Sequence, residues 1–334
     1  MSAIVDSSRD SSASLADAAR GSPSPQAKRV PGANLDPIFK AALYLCSGLI
    51  LVLLVSIVIL LFWGGWPALS HFGPSFYWST VWNPVTEKFG AGVMIYGTLF
   101  TGFLALLIAL PMSFGIAFFL TEIAPLSIRK PVGMAIQLLA AVPSIIFGMW
   151  GVAAIIPLMA NYIQPFLKAV FGYIPVVNYL FAGPASGFGV LTAAVILAFM
   201  VIPFISAMFV EILESVPPML KESGYGVGCT TFEVFRNISV PYGRTALVGA
   251  TMLGFGRALG ETMAVTYVIG NANRISASLF SSGATIASTI ANEFPDAPAG
   301  SLRNQSLMEL GFVLFVISFI VLAISRMLVR SSAK

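Results

Sequence analysis

Six stretches of the chain are apolar over about twenty residues or more, the length a helix needs to cross roughly 30 Å of bilayer hydrocarbon. They cover residues 38–63, 93–120, 132–160, 187–213, 245–269 and 307–329. Backbone in lipid must satisfy its own hydrogen bonds, so runs of this kind predict helices. Only 10% of the 334 residues are charged and 57% are hydrophobic, which leaves too little polar surface for a soluble enzyme. We expect an all-α membrane protein with six transmembrane helices.

The distribution of Lys and Arg predicts the orientation of these spans. An even number of spans puts both termini on one side, and that side carries thirteen of the 18 basic residues, against four on the other and Arg257 inside a span. Basic loop residues mark the cytoplasmic side. We therefore expect both termini, the 121–131 loop and the 214–244 loop to be cytoplasmic.

Residues 1–36 are rich in Ser, Ala, Asp and Pro and contain no long apolar run. Such a segment cannot bury enough surface to become ordered, so it predicts a disordered cytoplasmic tail ahead of a transmembrane domain over 37–334. Cys46, Cys229 and His71 have no partners at metal-ligand spacing, and we expect each to be structural, with no metal bound.

The sequence contains no phosphate-cradling G-x-x-x-x-G-K-[ST] loop, no G-x-S-x-G elbow and no H-E-x-x-H run. We expect no catalytic residue, no cofactor of its own and no ATP hydrolysis by this chain alone. If the protein moves a solute uphill, the energy comes from an ion gradient or from a separate ATPase subunit.

The 214–244 loop has the residues of two short helices joined at glycine. Ser215 can cap the first helix, which Gly226 and Gly228 can end. Thr230 can cap the second helix, with Glu233 completing a capping box.

We expect Pro241 to end that second helix near residue 240. Phe232 and Phe235 then share one face. An interfacial helix on the bilayer and a docking element that inserts these rings into a partner groove both fit this pattern, and the motif spacing favours docking.

The spacing within this loop is similar to the EAA motif, E-A-A-x3-G-x9-I-x-L-P, of ABC-importer permease subunits. Ser223 and Gly224 stand where the motif has two alanines, and Val240 where it has leucine. The resemblance implies the type I ABC importer permease fold, with this loop as coupling helices that fit a cleft on the ATPase subunit. The residues expected to carry this coupling are Glu222, Gly228, Phe232, Phe235, Ile238 and Pro241.

Two charged residues, Arg257 and Glu261, fall inside the fifth span. A charge at mid-membrane costs at least about 2.5–3.5 kcal/mol, so each needs a partner or a wet cavity. Four residues apart on a helix they would share a face and could neutralise each other. They are either a structural ion pair or part of a translocation pathway, and the second role is the more common for such ions.

Residues 254–265 read G-F-G-R-A-L-G-E-T-M-A-V and resemble the matching stretch of the phosphate-specific (Pst) permeases of the PstC type. The I-Y-G-T-L run at 95–99 and the V-P-S-I-I-F-G run at 142–148 agree. The resemblance implies a bacterial inner-membrane importer of inorganic phosphate in which Arg257 and Glu261 matter for transport. It also implies a PstA-type second permease, an ATPase dimer that binds ATP, and an extracytoplasmic phosphate-binding protein.

The sequence leaves two other functions open. The same architecture could import molybdate, sulfate or a polyamine, since the EAA pattern is shared by permeases of many substrates. An ion-coupled transporter or channel could instead use Arg257 and Glu261 as a proton relay.

Overall fold

The computed structural model describes residues 36–174 and 177–331. The chain divides into two units, Met1–Ser56 and Ile57–Lys334, and the predicted site residues all lie in the second. Of the predicted disordered tail, residues 1–35 lie outside the described residues, and Asp36 begins the first helix.

The described residues are helical throughout, apart from loops and a single antiparallel bridge between Asn83 and Lys88. In chain order the helices are α1 (Asp36–Phe72), α2 (Gly92–Ile123), α3 (Leu126–Ala140), α4 (Ser144–Phe171), α5 (Val177–Leu180), α6 (Val190–Glu214), α7 (Pro218–Gly226), α8 (Thr231–Val234), α9 (Val240–Leu259), α10 (Met263–Val268), α11 (Ile286–Glu293) and α12 (Leu302–Ser331).

Five helices in the described part of the chain are long and apolar enough to cross a membrane. They are Pro37–Tyr77, Gly92–Ile123, Ser144–Phe171, Val190–Glu214 and Leu302–Met327, and they correspond to the predicted spans other than the fifth. The fifth predicted span is two helices, α9 and α10, separated by residues 260–262. The predicted third span was placed too early. Helix α3 ends at Ala140, ahead of Pro143, and the long helix begins only at Ser144.

Each of the four π-helical turns among the described residues is separated by one residue from a following proline. The turns are Phe119–Ile123, Gly151–Ile155, Met159–Ile163 and Phe235–Ser239, and the prolines are Pro125, Pro157, Pro165 and Pro241. A proline has no N–H, and its ring collides with the carbonyl four residues back. In each case the N–H just before the proline bonds to the carbonyl five residues back, which widens the helix there.

Small residues let the helices of the core approach closely. A Cβ added at Gly254 of α9 would lie 2.6 Å from the Ile205 side chain of α6, and one at Gly102 of α2 would lie 2.9 Å from Leu259. In lipid, helix association depends on such packing rather than on burial from water, so these glycines fix how α2, α6 and α9 meet.

The bundle has two distinct ends. Helix α6 has 25 residues and is therefore about 37 Å long. Its first residue, Val190, donates a hydrogen bond to Ser281 O, whereas Glu214 at its last turn faces Arg129 and leads into the 214–244 loop. We call the end that carries the short helices α7 and α8 the knuckle end, after the bend that these two helices form. The end with Val190 and Ser281 is the far end.

Gly97 provides a stability test of this packing. A Cβ at Gly97 would collide with the backbone carbonyl oxygen of Ala284, whereas Gly115 on the same helix has nothing within 4 Å. We expect Gly97→Ala to destabilise the protein by about 1–3 kcal/mol through overpacking. Gly115→Ala should leave stability equal or slightly higher. The thermal midpoint of the full-length protein in detergent measures both, and equal midpoints for the two variants would contradict the packing.

Candidate transport pathway and coupling site

Helix α7 ends where the sequence predicts, but the residue that precedes its first turn is not the predicted cap, Ser215. Pro217 is the residue before α7, and Ser215 instead closes α6, where its Oγ donates to Ile212 O at 2.6 Å. The end of α7 is as expected. Gly226 is its last residue, and Gly228 has φ +90°, a left-handed conformation that glycine adopts without strain.

The capping box of α8 is confirmed. The Thr230 N–H donates to Glu233 Oε2 at 2.8 Å, and the Glu233 N–H donates to Thr230 Oγ1 at 3.4 Å. The backbone N–H of Thr230 lowers the pKa of the Glu233 carboxyl below its ordinary value. The predicted stop at Pro241 is wrong, because the π turn Phe235–Ser239 accommodates the proline and the chain continues directly into α9.

Ile238 packs against Gly224 of α7, which joins the two halves of the loop. A Cβ at Gly224 of α7 would lie 2.5 Å from Ile238 Cδ1 and 3.1 Å from the Val234 side chain. The glycine in place of the motif's alanine therefore lets α7 pack directly on the segment after α8. Residues 218–239 form one packed unit, which we call the knuckle.

The two phenylalanines of the knuckle do not share an exposed face. Phe235 is 7% exposed and packs on Phe118 of α2, with ring centroids 4.6 Å apart. Phe232 is 56% exposed and meets Phe118 only edge-on, at 5.9 Å. Phe235 is thus an internal anchor that joins the knuckle to the bundle, and Phe232 is the ring available to a partner.

The outer surface of the knuckle is apolar as well as charged. Glu222 and Gly228, two of the residues expected to carry the coupling, are exposed. Sequence reasoning did not single out Met219 and Val227, which are also largely exposed. The signal for them was available, because both are large apolar residues in a loop predicted to be cytoplasmic.

A partly buried ion pair, also missed from the sequence, joins the knuckle to α2. Lys221 Nζ lies 2.6 Å from Glu122 Oε1, and the two side chains are 19% and 6% exposed. Next to it, Arg129 Nη2 donates to Thr121 O and Arg129 Nη1 lies 3.9 Å from Glu214 Oε1. The Lys221–Glu122 contact spans about a hundred residues of sequence, so spacing alone could not indicate it.

Arg257 and Glu261 lie on either side of the end of α9. Arg257 is in the last turn of α9, where a cation stabilises the negative end of the helix dipole. Its guanidinium carbon lies 5.3 Å from the centre of the Phe204 ring. Phe204 is fourteen residues along α6 from Val190, roughly 21 Å from the far end, so Arg257 lies at mid-bundle depth.

Glu261 lies in the break between α9 and α10. Its Oε1 accepts a hydrogen bond from the Ala264 N–H at 3.4 Å in the first turn of α10. Among the ion pairs within 4 Å in the described residues, none joins Glu261 to Arg257. The expected pairing on one helix face fails because α9 ends at Leu259, between the two residues. Arg257 is exposed within the single chain and Glu261 is partly exposed.

Another carboxylate within the predicted spans, that of Glu309 in α12, was overlooked. It is 1% exposed, its Oε1 accepts a hydrogen bond from Tyr77 Oη at 2.8 Å, and its backbone packs against Gly65. A Glu in the first turn of an apolar run was the available signal. This carboxylate holds α12 against the segment around Tyr77.

The residue types of a metal site do not come together in the described part of the chain. No group of three or more His, Cys, Asp or Glu side chains could hold a metal ion there. His71 contacts the edge of Phe72 with ring centroids 4.8 Å apart, and Cys229 is a partly exposed free thiol in the knuckle.

Comparison with known proteins gives close relatives over nearly the whole chain. Residues 123–333 match the family described as binding-protein-dependent transport system inner membrane component. The phosphate transport system permease protein PstC of Mesorhizobium japonicum is 53% identical over 300 residues, or 90% of this chain and 91% of the relative. The PstC protein of Xylella fastidiosa is 51% identical over 311 residues, or 93% and 95%.

A solved structure agrees on the fold. A chain of the bacterial alginate ABC transporter, in complex with an alginate pentasaccharide-bound periplasmic protein, aligns with a TM-score of 0.57 and 15% identity. The alignment covers 91% of this chain and 98% of that chain. At this identity the likeness concerns the fold alone. The chain therefore belongs to the binding-protein-dependent transport system inner membrane component family, as a PstC-type ABC permease.

Proposed function

We propose that this chain is a permease subunit of an ATP-driven importer that carries inorganic phosphate across the bacterial inner membrane. The observation that carries the proposal is 53% identity to a PstC protein over 90% of the chain. A planar, permanently charged guanidinium at mid-bundle depth, that of Arg257, supports an anionic substrate. ATP hydrolysis belongs to partner subunits.

The knuckle is the surface on which the ATPase subunit docks. It presents an exposed ring, Phe232, on a unit whose two helices are locked by Ile238. An amphipathic helix with apolar anchors is suited to a groove on a partner. The complete transporter contains a PstA-type second permease, two ATPase subunits and an extracytoplasmic phosphate-binding protein. The knuckle end is cytoplasmic, in line with the excess of Lys and Arg predicted for that side.

Arg257 and Glu261 form a weak, exchangeable station for phosphate. Arg257 binds phosphate oxygens through its fork of N–H donors. Glu261 competes for the same guanidinium when the break between α9 and α10 changes shape, so the anion is released rather than retained. Alternating access results when ATPase closure pushes the knuckle, which is a rigid-body switch between helix bundles.

The first test separates docking from folding at the two phenylalanines. Phe232→Ala should weaken binding of the ATPase subunit by about tenfold or more, as expected for an aromatic interface anchor, while the chain stays folded. Phe235→Ala should instead destabilise the chain by about 3–5 kcal/mol, because it removes a buried ring. Binding measured on detergent-solubilised complexes, together with the thermal midpoint, resolves the two. Loss of ATPase binding in Phe235→Ala alone, at normal stability, would reverse these roles.

The second test concerns the station. In vesicles with the complete transporter, Arg257→Gln should lower phosphate uptake by about tenfold or more, since a charge-assisted contact is lost. Arg257→Lys keeps the charge without the fork, so its uptake should fall between those of the wild type and Arg257→Gln. Glu261→Gln keeps an oxygen for the Ala264 N–H, so it should fold normally and still slow uptake. Wild-type uptake in Arg257→Lys would overturn recognition by the fork.

The third test concerns the partly buried ion pair between Lys221 of α7 and Glu122 of α2. Lys221→Met leaves the Glu122 carboxylate buried without its cation, and we expect a loss of about 3 kcal/mol in stability. It should also lower the phosphate carried per ATP hydrolysed, because the knuckle loses its tie to α2. The exposed Lys130→Met is the matched control and should change neither. An unchanged ratio of phosphate carried to ATP hydrolysed in Lys221→Met would show that this ion pair plays no part in coupling.

A further inference from the structure

A second arginine, Arg274, lies at the far end of the bundle on a hairpin that connects α10 to α11. The hairpin is fixed by backbone hydrogen bonds: the Ala272 N–H donates to Gly283 O and the Gly283 N–H donates to Ile269 O, both at 3.1 Å. A third bond, from the Leu279 N–H to Leu180 O at 2.8 Å, ties it to α5. Arg274 therefore projects from a well-anchored segment.

Arg274 borders a cavity of about 560 Å³ that also carries the hydroxyls of Ser276, Ser278 and Ser281. A smaller cavity shares Arg274, Ser276 and Ser281 and continues to Tyr96. Tyr96 lies in the first turns of α2, beside Val190 at the start of α6, so both cavities lie at the far end of the bundle. None of the described residues that line either cavity carries a carboxylate.

The charge and hydrogen-bonding groups of this cavity suit an anion. In the described residues the Arg274 guanidinium makes no ion pair within 4 Å and the side chain is exposed. Ser276 Oγ accepts a hydrogen bond from the Ser278 N–H at 3.1 Å, which leaves its O–H to donate elsewhere. A second cation is close by, because Lys168 Nζ lies 3.4 Å from the carbonyl oxygen of Gly183, a residue of the cavity wall.

We propose that Arg274, with Ser276 and the nearby Lys168, binds phosphate at the far end before the anion reaches Arg257. The fork of Arg274 matches phosphate oxygens, and the hydroxyl supplies a further donor. The absence of carboxylates along the described lining leaves the local field positive, which concentrates anions at a cleft. This site rests on the proposed function, and it gives the importer two arginine stations at different depths.

The experiment uses vesicles with the complete transporter, radiolabelled inorganic phosphate and the phosphate-loaded binding protein. Arg274→Gln should lower phosphate uptake by about tenfold, and Arg274→Lys should retain more of it. The affinity of the binding protein for the transporter and its stimulation of ATP hydrolysis should be unchanged. Lys88→Gln is the matched control: Lys88 is an exposed cation just before α2 that lines neither cavity, so uptake should stay at the wild-type rate.

Each other result overturns the site in a distinguishable way. Wild-type uptake in Arg274→Gln would show that Arg274 binds no phosphate, and the proposed function would still stand. An equal loss in Lys88→Gln shows a general field at this end and no bound anion. If excess binding protein restores uptake in Arg274→Gln, the arginine is a docking contact for that protein. If the wild-type transporter carries no phosphate, the proposed function itself fails.

Discussion

The membrane-spanning helices of this protein must satisfy their backbone hydrogen bonds internally, and the prolines within them make this difficult. A proline removes one donor and pushes away the carbonyl four residues back. The π turns provide a local solution, because the N–H ahead of the proline reaches the carbonyl five residues back. At Pro157, Pro165 and Pro241 the helix therefore continues. The register of side chains shifts by one residue at each of these places, which decides which faces meet the core.

The polar groups obey the same constraint. Where the backbone is interrupted, at residues 260–262, the chain places Arg257 before the gap and Glu261 within it, each stabilising a helix end. Two carboxyl groups with little exposure have close partners: Glu122 lies beside Lys221 at the knuckle end, and Glu309 accepts a hydrogen bond from Tyr77. At mid-depth, Arg257 and Glu261 make no ion pair within 4 Å among the described residues, which is the state that the proposed phosphate station needs.

The sequence predicted those features that depend on local chemistry. Five spans, the end of α7 and the capping box of Thr230 and Glu233 all result from apolar runs, glycine conformation and short hydrogen bonds. The pairing of Arg257 with Glu261 failed because a regular helix was assumed through Gly260. The burial of Phe235 could not be foreseen, since it depends on Phe118, more than a hundred residues away. The contact between Lys221 and Glu122 could not be foreseen either, because the two residues are 99 positions apart in the sequence.

The π turn at Phe235–Ser239 also has a mechanical consequence. Because the chain stays helical from Thr231 to Leu259, the second half of the knuckle and α9 are a single rod of about 43 Å. Because the helix continues through the π turn and Pro241, the knuckle and α9 are joined by helical backbone and not by a loop. A displacement passed along this helix reaches Gly260, where the helix ends, so the gap at residues 260–262 beside Arg257 is the first break in helical structure that it meets.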